Sequence, residues 1–291
     1  MVCPSQDEQN AQFSVTDLSA LNNISGEHIF VLLKGYFDGG NKVDSRTNKT
    51  ATLAFVTGRP DALKRLEKAW QSNLLKHRAE YLSTTDAAAL GGIYKTGWSA
   101  ARRDDFLFDC VDLIKKSTEG GLSTYGLGLF SVTIDLKAFK AAYMAQPNLP
   151  HDATVVLASQ AFAKLLEVGN VLDAHFLELL FDQNEPFRGH ICDRIRNPKY
   201  IREMARNKMD IKRRIIVGPE VDMRDASVLQ AADLLAWSVN RRNAIKFEWQ
   251  LAMLGIPAES ELIDGGALQK PNALAMDLVK YCNFPRRAAT K

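Results

Sequence analysis

Apolar residues along this chain recur with two periods, and the switches between them lay out strands and helices. Residues 28–40, HIFVLLKGYFDGG, are rich in β-branched and aromatic side chains and close on glycines, as a strand buried on both faces does. Residues 48–58, NKTATLAFVTG, repeat that composition after a polar loop, which suits a hairpin. After Arg59 and Pro60 the spacing lengthens: Leu63, Leu66, Trp70 and Leu74 fall on one side of a helix. A second helix is expected over 104–117, closed by Gly120 and Gly121. Strand composition returns at 125–136, a helix follows at 152–168, and HFLELLFDQNEP (175–186) reads as a fourth strand ending at Asp182. A basic helical stretch at 193–209 leads to a short fifth strand at 213–220.

SVLQAADLLAW (227–237) then reads as a helix opened by a capping box, with Ser227 and Gln230 three residues apart. Leu229, Ala232, Ala236 and Trp237 build its buried face, and Asp233 shares that face. An unpartnered buried carboxylate costs several kcal/mol, roughly, or takes up a proton, so Asp233 needs something to meet. Two further helical stretches are expected around 247–254 and 273–281.

The predicted architecture is α/β: a mixed five-stranded sheet flanked by helices. An N-terminal arm (1–27) precedes a domain at 28–243, which carries a helical insertion at about 59–120. A helical extension (244–291) follows.

Composition changes this picture little. The chain has 291 residues, 46% of them hydrophobic and 24% charged, the makeup of an ordinary globular protein. A net charge of +3 is too small to announce nucleic-acid binding, so local clustering carries that question. The four cysteines, Cys3, Cys110, Cys192 and Cys282, are scattered without a C-x-x-C pair, which argues against a zinc site or a disulfide framework. With no long apolar run and a polar start, the expectation is a cytoplasmic protein that makes no use of a membrane. Nothing in the pattern fixes an oligomeric state.

Candidate chemistry lies in three aspartates. Asp38 and Asp182 each end a strand, and ligands of open α/β sheets gather at the carboxyl ends of strands. Adjacent, parallel strands one and four would set these two side by side, and the late helix would bring Asp233 against them. Converging carboxylates stay ionised together only if a cation compensates them, and oxygen ligands favour magnesium or manganese over zinc. The competing readings are ordinary turns at Asp38 and Asp182, and a buried salt bridge from Asp233 to an arginine. No Ser/His/Asp or Cys/His arrangement stands out, and His190, eight residues after Asp182, is the one histidine with a conceivable proton-shuttling place.

GYFDGG, LLFDQNEPF and VLQAADLLAW resemble, in order and spacing, motifs of an uncharacterised family catalogued as domain of unknown function 3800. The resemblance covers roughly residues 28–245, and EYLSTTDAAALGGIYKTGW (80–98) also resembles a segment found in part of that family. It implies a ribonuclease-H-like fold and a two-metal phosphodiester hydrolase, a nuclease acting on DNA or RNA. Asp38, Asp182 and Asp233 would be the catalytic, metal-binding set for two Mg²⁺ or Mn²⁺ ions. The chain departs from the pattern at Gly39 and Gly40, where an acidic residue and a serine are usual. It also lacks the fourth carboxylate that such nucleases carry on the helix between strands three and four. Glu185 is the expected replacement as a metal ligand, with Asp86 of the insertion as a second candidate.

The expected partner is nucleic acid. Residues 194–214 hold nine Lys or Arg against Glu203 and Asp210, and Arg194, Arg196, Lys199, Arg202 and Arg206 are the residues expected to meet phosphates. A solvated helix face is the alternative reading of that run. Two other functions fit the same fold: a non-catalytic nucleic-acid or protein-binding module, and a phosphohydrolase of small substrates.

Overall fold

In a computed structural model of the chain, the described residues are 32–40, 49–119, 126–145, 152–171, 176–183, 186–195 and 214–263. The chain divides into two compact units, Met1–Val31 and Leu32–Lys291, and every described residue belongs to the second. The expected arm at 1–27, most of the basic stretch at 193–209 and the helix at 273–281 lie outside the described residues.

A six-stranded sheet organises the unit: β1 (Leu32–Gly40), β2 (Thr50–Gly58), β3 (Gly128–Asp135), β4 (Phe176–Asp182), β5 (Arg214–Val221) and β6 (Glu259–Ile263), in the order β5-β4-β1-β2-β3-β6. β2 pairs antiparallel with β1 and β3, while the β1–β4, β4–β5 and β3–β6 pairs are parallel, so β2 alone runs against the rest. The expected mixed α/β sheet is therefore present. Its sixth strand was not expected. The tail turns back after a short helix and lies along β3 as a parallel neighbour, so the extension from residue 244 is not purely helical.

Helices fill both faces. The insertion contributes α1 (Pro60–His77), α2 (Thr84–Ala89), a 3₁₀ turn (Gly92–Tyr94) and α3 (Ala100–Thr118). Then come α4 (Leu136–Ala145), α5 (Ala153–Val171), α6 (Pro186–Ile195), α7 (Ser227–Asn240) and α8 (Glu248–Leu254). On one face Ala54, Val56 and Leu129 of the sheet pack into a core with α1, α3, α7 and α8. On the other, Phe55 stacks on Phe130 with ring centroids 4.9 Å apart, and the buried residues of α5, such as Leu157 and Phe162, belong to the helix that covers β2 and β3.

Three local departures have physical causes. Asp135 was read as the interior of a strand end. Its carboxylate accepts from the amides of Lys137 and Ala138, both at 2.8 Å, and so starts α4 directly. Pro186, the last residue of the fourth-strand segment in the sequence reading, stands at the first position of α6, where a missing N–H is harmless. The capping box of Ser227 and Gln230 does not form: Ala226 is the N-cap, and both side chains bond to the insertion instead.

Candidate functional site

The sheet brings two of the three aspartates into line. β1 and β4 pair in parallel with Phe37 opposite Phe181, and Asp38 and Asp182 are the next residues along each strand. Opposed residues of parallel neighbours point to the same side, so both carboxylates belong to the face that α7 covers. Asp38 is 6% exposed, and Asp182 is half-buried at the strand end.

Helix α7 is apolar nearly all round. From Ser227 to Val239 only Asp233 escapes full burial, so Asp233 is not one polar residue on an otherwise ordinary amphipathic face. It is the single polar opening of a core helix. Its Oδ2 accepts the backbone N–H of Thr84, the first residue of α2, at 2.7 Å. The fully buried Thr84 hydroxyl lies near the same carboxylate and favours its charged form, but has no aligned hydrogen-bond partner. Desolvation raises the Asp233 pKa above the ordinary aspartate value and is the largest influence on it. The Thr84 amide and hydroxyl work against that rise, Asp182 adds to it, and Arg241 again opposes it.

Arg241 does not make the buried salt bridge considered above. Its guanidinium lies over the Trp237 ring, 4.4 Å from the centroid, and Asp233 forms no ion pair among the described residues. Burial lowers the pKa of Arg241, and the Asp233 charge pulls it back up. Asp182 also titrates above its ordinary value, mainly through desolvation. Amides of Gln183 and Met223 hold it down, and the charges of Asp222 and Glu220 push it up. The Met223 N–H reaches Asp182 Oδ1 at 3.1 Å.

In front of Asp182 opens a polar cleft of about 270 Å³, lined by Tyr81, Ser83, Asp182, Gln183, Asp222, Met223 and Arg224. One wall comes from the insertion and the other from the turn between β5 and α7. Asp38 and Asp233 are not part of this lining. Among the described residues no three His, Cys, Asp or Glu side chains stand together as a ready-made ligand set for a metal ion. The donor chemistry still suits a hard cation. Asp182 and Asp233 are carboxylates of raised pKa that form no ion pair among the described residues, and the buried Thr84 hydroxyl lacks an aligned hydrogen-bond partner.

Of the remaining expected site residues, Glu185, Arg196, Lys199, Arg202 and Arg206 lie outside the described residues, and the Arg194 side chain does too, although its backbone lies in the last turn of α6. Asp86 does not join the cleft: its carboxylate lies so close to Gly92 that a Cβ there would stand 2.6 Å from Oδ2. His190 pairs with Asp152 at 3.6 Å, which links α6 to the start of α5 and helps hold the Asp152 carboxyl down to about 2.

Asp222 is the acid that sequence reading missed. It follows β5 directly, and Val221 is in register with Asp182, so the rule that found Asp38 and Asp182 also finds it. Its Oδ1 accepts the Arg224 amide at 2.9 Å and the Arg224 Nε at 3.2 Å, which fixes the turn that forms the cleft wall. Searches of family models, curated proteins and solved structures find no match to this chain.

Proposed function

We propose that the chain is a metal-dependent phosphodiester hydrolase acting on DNA or RNA, with Asp38, Asp182 and Asp233 as the carboxylates that would hold Mg²⁺ or Mn²⁺. The observation that carries this reading is the pairing of β1 with β4, which aligns Asp38 and Asp182 at strand ends beneath the helix that bears Asp233. The strand order β3-β2-β1-β4-β5, with only β2 reversed, supports reading the sheet as ribonuclease-H-like, with β6 added at its edge.

A divalent cation at such carboxylates lowers the pKa of a bound water and offsets charge on a phosphoryl oxygen. The chain's own groups do the rest. Burial disfavours the charged forms of Asp182 and Asp233, as do the charges of Asp222 and Glu220 at Asp182 and of Asp182 at Asp233, so both carboxylates favour nearby positive charge. The Thr84 amide holds Oδ2 of Asp233 and the Met223 amide holds Oδ1 of Asp182, so each carboxylate is oriented by the backbone of a cleft wall. Arg224 is exposed at the cleft mouth, its guanidinium 5.6 Å from the Tyr81 ring centroid, where a phosphate and an adjoining base would both find a partner. Asp222, which lines the same cleft as Asp182, joins Glu185 as a candidate for the fourth carboxylate.

The test is cleavage of single- and double-stranded DNA and RNA in Mn²⁺ by wild type, Asp38→Asn and Asp182→Asn. The expected outcome is cleavage by wild type and a loss of at least about 10²-fold in both folded variants, in line with removal of a charged catalytic contact. Unchanged cleavage in the variants would remove these aspartates from the reaction. One other reading keeps the same fold, a binding module without catalysis, for which the described residues alone bring no three ligating side chains together. It is distinguished by nucleic-acid binding that is indifferent to divalent cations and unaccompanied by cleavage.

A further inference from the structure

Gln230 shares its helix with Asp233 and is fully buried, yet the capping role its spacing suggests is not the one it plays. All its amide bonds run to other elements. Oε1 accepts from the Trp70 indole Nε1 at 2.9 Å and from the Leu82 backbone N–H at 2.8 Å, and Nε2 donates to the Met223 carbonyl at 2.7 Å. Each backbone partner is one step from a site carboxylate. Leu82 lies two residues before Thr84, whose N–H binds Asp233. The Met223 peptide turns its carbonyl to Gln230 and its own N–H to Asp182.

We infer that Gln230 is a positioning residue: one side-chain amide fixes both cleft walls and thereby sets where the Asp182 and Asp233 carboxylates stand relative to each other. The inference rests on the hydrolase reading only in what the spacing is for. The linkage itself is independent of it.

The chemistry requires an amide here. Oε1 has two lone pairs and both are used, while Nε2 must donate to a carbonyl. A glutamate would set a charge against the Met223 carbonyl, and an apolar residue would leave the Leu82 N–H and the Trp70 N–H unsatisfied in the core. Trp70 also shows that the insertion is part of the site and not an appendage. Its ring is fully buried in the core it shares with α7, and Gln71 Nε2 donates to Ser227 Oγ at 2.6 Å, one turn before Gln230 on α7. The wall of the cleft is thus carried by α1 and locked to α7 at two points.

The test is amide hydrogen exchange of Thr84 and Met223 in wild type, Gln230→Met and Trp70→Phe, each normalised to the amides of β2. Neither amide touches the Gln230 side chain, so a merely structural loss would speed all core amides together and leave the ratio unchanged. The expected result in Gln230→Met is exchange at Thr84 and Met223 at least tenfold faster relative to β2. Trp70→Phe removes one Gln230 bond but neither link to a carboxylate, and its ratio should stay near wild type. An unchanged ratio in Gln230→Met overturns the inference. If that variant does not fold, wild type decides: Leu82, Thr84 and Met223 should exchange at a common rate, and a spread beyond tenfold overturns it. Mn²⁺ affinity, measured alongside, should fall at least tenfold in Gln230→Met and not in Trp70→Phe. A wild type that binds no Mn²⁺ sinks the hydrolase reading, while the exchange ratio still decides the role of Gln230.

Discussion

At the scale of the residue, Asp233 is the group on which most depends. Its pKa is raised by burial first and by Asp182 after the opposing Thr84 contacts. Between the ordinary aspartate value and that raised one, the folded protein holds a proton that the unfolded chain has released. Stability therefore falls as pH rises through this window and levels off above it. Asp233→Asn keeps the acceptor for the Thr84 amide and removes the titration. Urea unfolding at a series of pH values should show a shallower fall in the variant and higher stability than wild type above the window. Equal slopes would mean that Asp233 titrates normally. Much of this residue's situation was legible in the sequence, because an acid among apolar positions at helical spacing is a readable anomaly. Its partner was not legible. Thr84 is 149 positions away, and the contact is to its backbone N–H, which every residue but proline carries. Gln230 misled for a related reason: a glutamine three residues after a serine is a capping pattern, and only the packing of α1 against α7 converts it to a tertiary clasp.

At the scale of the element, the strands and α7 were readable because their burial is extreme. β2 is buried at every position from Ala51 to Gly58, and only Thr52 and Thr57 interrupt its apolar composition. The short pieces were harder. α2 has six residues, and its ends are set by the Ser83 hydroxyl, which accepts from the Asp86 amide at 3.5 Å, and by Leu90 in a left-handed conformation, not by apolar period. Beyond it, Gly92 has φ +50 and lies against the Asp86 carboxylate, so the turn that returns the chain to Tyr94 requires a residue without a Cβ. Gly92→Ala should destabilise by about 1–2 kcal/mol, the ordinary penalty for an L residue in that region. Its effect should centre on the wall at 81–84, because Tyr94 donates its hydroxyl to the Tyr81 carbonyl at 2.6 Å. A urea midpoint indistinguishable from wild type would contradict this. The parallel edge strand β6 has no such local signal. Five residues beside β3 become a strand only because β3 offers an unpaired edge.

At the scale of the whole molecule, the described part of the chain is one sheet, and the proposed site lies where β1, β4, β5 and α7 meet the insertion. β5 closes that end of the sheet with a register shift around Gly218 and Pro219, where the backbone of Leu179 comes within 3.2 Å of where a glycine Cβ would stand. Such an edge resists pairing with other chains. Among the described residues no helix is long and apolar enough to cross a membrane. The site therefore depends on long-range assembly: Asp38 from the first strand, Asp182 from the fourth, Asp233 from the last long helix, and a wall from the insertion. The central claim is that this assembly gives the carboxylates a shared affinity for a divalent cation. Calorimetric titration of Mn²⁺ into wild type and into folded Asp233→Asn addresses it most directly. Saturable binding by wild type, weakened at least tenfold in the variant, is the expected result. No binding by wild type, or equal binding by both proteins, would contradict it.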